Sequence, residues 1–212
     1  MLLLKVERVA VTLMLLLILI GNFITVAEAS ENKLEGIVSD HNGSPISSVK
    51  VNVWDGKMLR QSVSDSTGKY SVSGITPGTF FAVRLTKQDS ETVRIGGTRF
   101  PEKGNLVLSA EFLTLAVNSN FILRLPSNPS TGYSWTTLSN TPANILDFRK
   151  KAMEEEKNKA ENEHNALGKS GYELWEFNTQ KAGKASLLLA YYRSWEKPIS
   201  PLLYHICSVN VK

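Results

Sequence analysis

The chain has 212 residues, of which 42% are hydrophobic, 8% aromatic and 21% charged, with 14 Gly, 8 Pro and one Cys. This is the make-up of a folded protein of one large or two small domains, and it excludes collagen-like, disordered and disulfide-stapled chains. The net charge of +4 arises from 24 basic against 20 acidic residues with no block of one sign, so nucleic acid is not an expected partner.

Lys5 and Arg8 precede an apolar run from Val9 to Ile20, and Val26-Ala27-Glu28-Ala29-Ser30 sets small residues at the two positions that a signal peptidase reads. The order of basic, apolar and A-x-A segments predicts a signal peptide over residues 1–29 and a secreted chain beginning at Ser30. The same text also reads as an uncleaved anchor, because Val9 to Val26 is 18 residues long, and membrane attachment is expected only in that case. No Cys lies near the cut, which excludes a bacterial lipid anchor there.

From Leu34 to about Leu85 short alternating runs are separated by turn signals. Leu34 to Val38, Val49 to Val53, Lys69 to Val72 and Phe80 to Leu85 are divided by Asn42-Gly43-Ser44-Pro45, Asp55-Gly56, Asp65-Ser66-Thr67-Gly68 and Thr76-Pro77-Gly78. Apolar residues at i and i+2 with turns at this spacing predict a β-sandwich. Gly36-x-Val38-x-Asp40, Gly43-x-Pro45-Ile46, Val49-x-Val51-x-Val53, Asp65-x-x-Gly68-x-Tyr70 and Gly74-Ile75-x-Pro77-Gly78 together resemble the carboxypeptidase regulatory-like domain. The resemblance covers about Asn32 to Thr98 and implies a seven-stranded, transthyretin-like sandwich without catalysis, acting as a spacer or docking surface.

Gly and Pro cluster in Ile95 to Gly104, which reads as the junction between a domain of residues 30–104 and a second of residues 105–212. Alternation resumes at Leu106 to Leu108 and Leu113 to Val117. Further strands are expected near Phe121 to Leu125, Tyr172 to Phe177, Ala185 to Tyr192 and Leu203 to Val211. Arg149 to Glu163 departs from this pattern, with five basic and five acidic residues, Glu155 and Lys159 four apart, and Ala152, Met153 and Ala160 as helix formers. It is predicted to be a short solvated helix inserted between strands. The fold class is therefore all-β, two sandwiches with one helical insert.

Catalytic and metal chemistry find little support. Cys207 and His205 share a face of a strand-like run, which admits a Cys–His pair or a buried thiol, and the apolar neighbours Ile206 and Val209 favour the thiol. With three His and one Cys at no ligand spacing, no metal and no cofactor are expected. No G-x-S-x-G, H-E-x-x-H or phosphate-cradling loop occurs, so the chain does not read as an enzyme.

Leu125 to Trp135 is the most informative segment. Pro129 fixes its own φ, Asn128 can bond the backbone two residues on, and Gly132 admits a conformation closed to other residues. Such a rigid loop suits either a hairpin turn or a protrusion that inserts into an enzyme cleft at little ordering cost. Asn128-Pro129-Ser130-Thr131-Gly132-Tyr133-x-Trp135 resembles the N-P-T-T-G-Y signature of chagasin-type inhibitors of papain-like cysteine peptidases. Leu167-Gly168-Lys169-Ser170-Gly171 is similar in part to that family's G-x-G-G loop, and Tyr192-Arg193-Ser194-Trp195-Glu196 to its R-P-W-E loop. The likeness runs from about Asn105 to Lys212.

This resemblance implies an immunoglobulin-like sandwich with three loops forming a wedge at one end, acting as a monomer on a papain-like cysteine peptidase. Asn128, Pro129, Ser130, Thr131 and Gly132 would enter the cleft, with Thr131 near the enzyme's thiol. Gly168, Lys169, Ser170 and Gly171, and Arg193, Ser194 and Trp195, would straddle its walls. Two departures are evident: Ser194 stands where the family has Pro, and Ser170 where it has Gly. The other reading is an extracellular interaction or adhesion module, since a sandwich displays loops whatever they bind. The two readings differ in whether the three loops converge at one end.

Overall fold

The computed structural model describes residues 32–87, 91–138, 144–155, 170–196, 201 and 203–212. The signal-type segment, and with it the choice between cleavage and anchor, lies outside the described residues. A period of two in apolar residues lays one face of a segment against a core, and strands follow it along the chain. They are β1 (Leu34–Asp40), β2 (Lys50–Trp54), β3 (Leu59–Val63), β4 (Lys69–Val72), β5 (Phe80–Lys87), β6 (Glu91–Arg99) and β7 (Leu106–Leu115). Then come β8 (Asn120–Ser127), β9 (Ser134–Thr137), β10 (Leu146–Glu155), β11 (Gly171–Thr179), β12 (Gly183–Tyr192) and β13 (Leu203–Val211). The all-β class expected from the alternation is the one observed. Among the described residues no helix is long and apolar enough to cross a membrane.

The strands form a six-stranded sheet in the order β4-β1-β7-β13-β12-β9, a four-stranded sheet β3-β2-β5-β6 and a three-stranded sheet β10-β11-β8. The six-stranded sheet is shared by two cores. On one face Leu106, Leu108, Ala110 and Phe112 of β7, with Ala190, Tyr204 and Ile206, pack with Val51, Val53, Phe81, Val83 and Leu85 of the four-stranded sheet. On the other, Leu113 joins Leu187, Leu189, Cys207 and Val209 against Leu123, Leu125, Trp175 and Phe177 of the three-stranded sheet. The cores thus exchange between Phe112 and Leu113, two neighbours that a strand points to opposite faces. β7 pairs in parallel with β1 on one side and with β13 on the other.

The motif glycines and acids of the first half shape its turns. Asp65 accepts hydrogen bonds from the amides of Thr67 (2.8 Å) and Lys69 (3.0 Å), and Gly68 follows at φ +75°. Tyr70, on β4, sends its hydroxyl to the Leu108 carbonyl (2.5 Å) across the sheet, where Gly36 leaves room for it.

Two expectations require correction. Arg149 to Glu155 is the second part of β10, not the start of a helix, and residues 156–163 lie outside the described residues. Helix propensity amounts to tenths of a kcal/mol per residue, and here it yields to an antiparallel ladder with β11, from Leu146 opposite Thr179 to Glu155 opposite Gly171, interrupted only by a bulge at Arg149. The charges decorate an exposed edge, with Lys150 paired to Glu176 (3.3 Å) and Glu154 to Arg124 (2.9 Å), as suits a strand that must not recruit another. The segment Ile95 to Gly104, read as a junction from its Gly and Pro, is still strand at its start: β6 runs through Arg99, paired to β5 across a bulge.

Candidate functional site

β8 delivers the chain to the loop, and β9 carries it away. Between them Asn128 is extended, Pro129–Thr131 form one 3-10 turn, and Gly132 ends it in the left-handed region at φ +78°. The loop is bonded to itself. The Thr131 hydroxyl donates to the Asn128 carbonyl (2.6 Å), the Ser130 hydroxyl donates to the Asn128 side-chain oxygen (2.6 Å), and the Gly132 amide reaches the Pro129 carbonyl (3.0 Å). Pro129, Ser130 and Thr131 remain exposed. The result is a stiff, projecting turn whose conformation is set before any partner arrives.

A buried carboxylate anchors both ends of this loop. Glu173, on β11 and only 2% exposed, accepts from the Ser127 hydroxyl (3.1 Å) before the loop and from the Trp135 amide (3.2 Å) after it. The Trp175 indole N–H (3.2 Å) and the Lys151 ammonium (2.6 Å) complete its shell. Tyr191, from β12, adds a third fixing point by accepting the Asn128 amide at its hydroxyl (2.8 Å), and its ring lies between Tyr133 (5.5 Å) and Trp135 (5.2 Å).

The turn Arg193 to Glu196 leaves β12 beside the first loop. Arg193 donates through Nε to the Thr131 carbonyl (3.0 Å), pairs with Glu196 (3.2 Å) and lies over the Tyr133 ring (4.7 Å). Its guanidinium therefore ties one loop to the other. Trp195 is 69% exposed, yet the edge of its indole approaches Gly132 so closely that a Cβ there would stand 2.7 Å from Cζ2. Glycine is required at 132 twice over, by its φ and by this contact. The Glu196 amide closes the turn on the Arg193 carbonyl (3.2 Å), with Ser194 and Trp195 at its two central positions.

The third predicted loop is described in part. Gly168 and Lys169 lie outside the described residues. Gly171 opens β11 opposite Ser127, and a Cβ on it would strike the Glu154 carbonyl. Ser170 and Gly171 line a groove of about 300 Å³ with Pro126, Ser127, Asn128 and Tyr191. Asn128 to Gly132, Ser170 to Gly171 and Arg193 to Trp195 are thus brought to one end of the second sandwich. Glu173, Lys151 and Tyr191 were not singled out from the sequence. The signal for Glu173 was its place in phase with Trp175 and Phe177, which puts a carboxylate on the apolar face of a strand.

Cys207 is fully buried, and burial, with the Glu111 carboxylate nearby, pushes its thiol well up. It is inert core, as its apolar neighbours suggested. Burial lowers His205 to about 4 and raises Glu111 to about 7, the latter aided by Asp40. Their 3.9 Å approach therefore joins a neutral imidazole to a carboxyl that holds its proton up to neutrality, and it is too long for a hydrogen bond. Among the described residues no three His, Cys, Asp or Glu are grouped to hold a metal ion.

Residues 114–206 match the model of the chagasin family of peptidase inhibitors, I42. That segment is a chagasin-family domain. Domains of this family inhibit peptidases and are not enzymes. Among solved structures, the cysteine protease inhibitor EhICP2 from Entamoeba histolytica is 23% identical over 50% of this chain and 97% of its own, with a TM-score of 0.39. PbICP-C, solved in complex with falcipain-2, is 18% identical over 50% of this chain and 89% of its own, also at 0.39. Amebosin is 21% identical over 50% and 97%, at 0.36. Among curated proteins none matches the chain.

Proposed function

We propose that the chagasin-family domain is a reversible inhibitor of papain-like cysteine peptidases, and that its three loops occlude the enzyme's cleft without any chemistry of their own. The observation that carries this reading is the seating of Trp195 on Gly132, with Arg193 bonded to Thr131. It makes two loops distant in sequence into one pre-formed edge. Thr131 presents a small residue at the tip of that edge, suited to stand over a thiol. Trp195 offers a large rigid surface of the kind that dominates interface energetics. The chain acts after export, starting at Ser30. The regulatory-like half, residues 30–104, serves as a spacer or docking surface.

The deciding experiment incubates the chain from Ser30 with papain and a cathepsin-like enzyme. Inhibition that is relieved on dilution is expected, and its absence at micromolar concentration would refute the reading. Thr131→Trp and Trp195→Ala should each weaken inhibition strongly while the chain stays folded, with only the small loss of stability that the Thr131–Asn128 bond and the Trp195–Gly132 contact account for. If both inhibit like the parent, the wedge is elsewhere. Mass spectrometry of the exported chain tests the cut after Ala29.

A further inference from the structure

The four-stranded sheet buries only one of its faces. Its inward residues Val51, Val53, Phe81, Val83 and Leu85 are core, while among the described residues nothing covers the outward set. That set has an unusual composition for a solvated β surface. Trp54 is 47% exposed, Leu59 55% and Phe80 56%. Lys50, Arg84 and Arg99 are its charged residues, and the described outward positions of β2, β3 and β5 contain no Asp or Glu. Arg99 lies over Phe80 at 4.1 Å, whereas among the described residues Arg84 has no ion-pair partner.

The face is also shaped. Ala82 stands opposite Trp54 in the register, and the β5–β6 bulge brings Gly96 alongside, so small residues make a floor next to a large aromatic wall. The trough has a volume of about 390 Å³ and is lined by Asn52, Trp54, Leu59, Ala82, Arg84 and Gly96. That size falls among ordinary small-molecule sites, roughly 300–1,000 Å³, and a mainly apolar lining with a few convergent polar groups is their usual make-up. A Cβ placed on Gly96 would meet nothing within 4 Å, so the space over it is open.

We propose that this trough binds acidic polysaccharide, with a sugar ring on Trp54 above Ala82 and Gly96 and its carboxylate on Arg84. The C–H groups on one side of a sugar ring are weakly positive and suit the negative face of an indole. Asn52 offers planar donors and acceptors to ring hydroxyls, and Arg84 offers a fork matched to a carboxylate. Charge selects the class, since a face whose described positions carry three cations and no acid attracts an anion. Three dispersed cations are few for a nucleic acid, whose binding rests on about 6–10 neutralised phosphates. A membrane is matched less well, because the apolar groups flank a floor of Ala82 and Gly96 that suits a flat ring, and Phe80 lies under Arg99. The site is far in sequence from the inhibitory loops and does not depend on the reading of them.

The test is affinity electrophoresis and calorimetry of the full chain with polygalacturonate, with neutral dextran and phosphatidylglycerol vesicles as comparisons. Polygalacturonate should bind and dextran should bind far more weakly. Trp54→Ala, Gly96→Leu and Arg84→Gln should each reduce affinity by about tenfold or more. All three positions are exposed or open, so melting temperature and papain inhibition should stay at the parent's values. If one variant misfolds, the other two carry the test. No binding to polygalacturonate, equal binding by parent and variants, or binding to vesicles alone would each overturn the proposal.

Discussion

Glu173→Gln is the most revealing single change, because it alters one atom in the group that fixes both ends of the loop. The amide can keep its oxygen toward the Ser127 hydroxyl and the Trp135 amide. Its nitrogen then faces the Trp175 indole N–H and the Lys151 ammonium, donors that previously shared Oε2. A charge-assisted bond is lost, worth about 1.5–3 kcal/mol, and a buried donor is left without an acceptor at a cost of about 1–3 kcal/mol. A loss near 3 kcal/mol is expected, since Lys151 can turn partly to solvent, and for a chain of this size it lowers the melting temperature by about 6–12 °C. The loosened loop must then be ordered on binding, so inhibition of papain weakens by about tenfold, chiefly through faster dissociation. Thermal denaturation and stopped-flow inhibition of Glu173→Gln, Lys151→Met and the double variant check this. The pair should couple by at least about 1 kcal/mol. Additive losses, with inhibition untouched, would refute the account of Glu173 as the loop's anchor.

Gly132→Ala forces a side chain into the left-handed region and against the Trp195 indole; it should cost about 1–2 kcal/mol in denaturant melts and displace Trp195, seen as a shift in its fluorescence. Ser194→Pro places a fixed φ at the first central position of the Arg193–Glu196 turn, and should stabilise the loop by about 0.4–1 kcal/mol and tighten inhibition a few-fold in a titration. Glu111, raised on folding, adds stability that is complete at low pH and lost as pH rises through about 7, whereas His205, lowered to about 4, adds stability that grows from there to about 6.5. Between about pH 4.5 and 6.5 the two slopes oppose, because folding moves one proton from imidazole to carboxyl. Urea melts across that range should therefore be nearly flat for the parent and rise with pH for Glu111→Gln, in which Asp40 and Cys207 remain the other titratable neighbours.

Much of the fold was legible because strands declare themselves locally. Val49, Val51 and Val53 alternate with Lys50 and Asn52, and β2 appears there; the run from Tyr204 to Val211 lies within β13. The turn chemistry of Asn128 to Gly132 was equally local, since Pro129 and Gly132 each restrict or permit a known backbone region. What escaped was set by partners distant in sequence. Arg149 to Glu155 has the composition of a solvated helix, and only the ladder offered by β11 makes it a strand. Leu106 to Leu115 reads as two short runs because its buried face changes from one core to the other midway, which breaks the alternation at Phe112 and Leu113. The Glu173 shell escaped for the same reason: Ser127 and Lys151 become its neighbours only when β8 and β10 pair with β11, and Trp135 only when β9, in the six-stranded sheet, comes against them.

The strand that serves both cores bears on the ancestry of such chains. Independent modules strung on a linker can be exchanged whole, because a cut between them severs no hydrogen-bonded pair. Here a cut at Gly104 leaves the first sandwich without the strand that β1 lies against, and a cut after Leu115 takes that strand from β13. Recombination could not have joined these two halves without supplying β7 to both. Each half expressed alone would have to close its sheet without that shared strand or keep it with one neighbour missing, so each should be less stable by itself than within the whole chain.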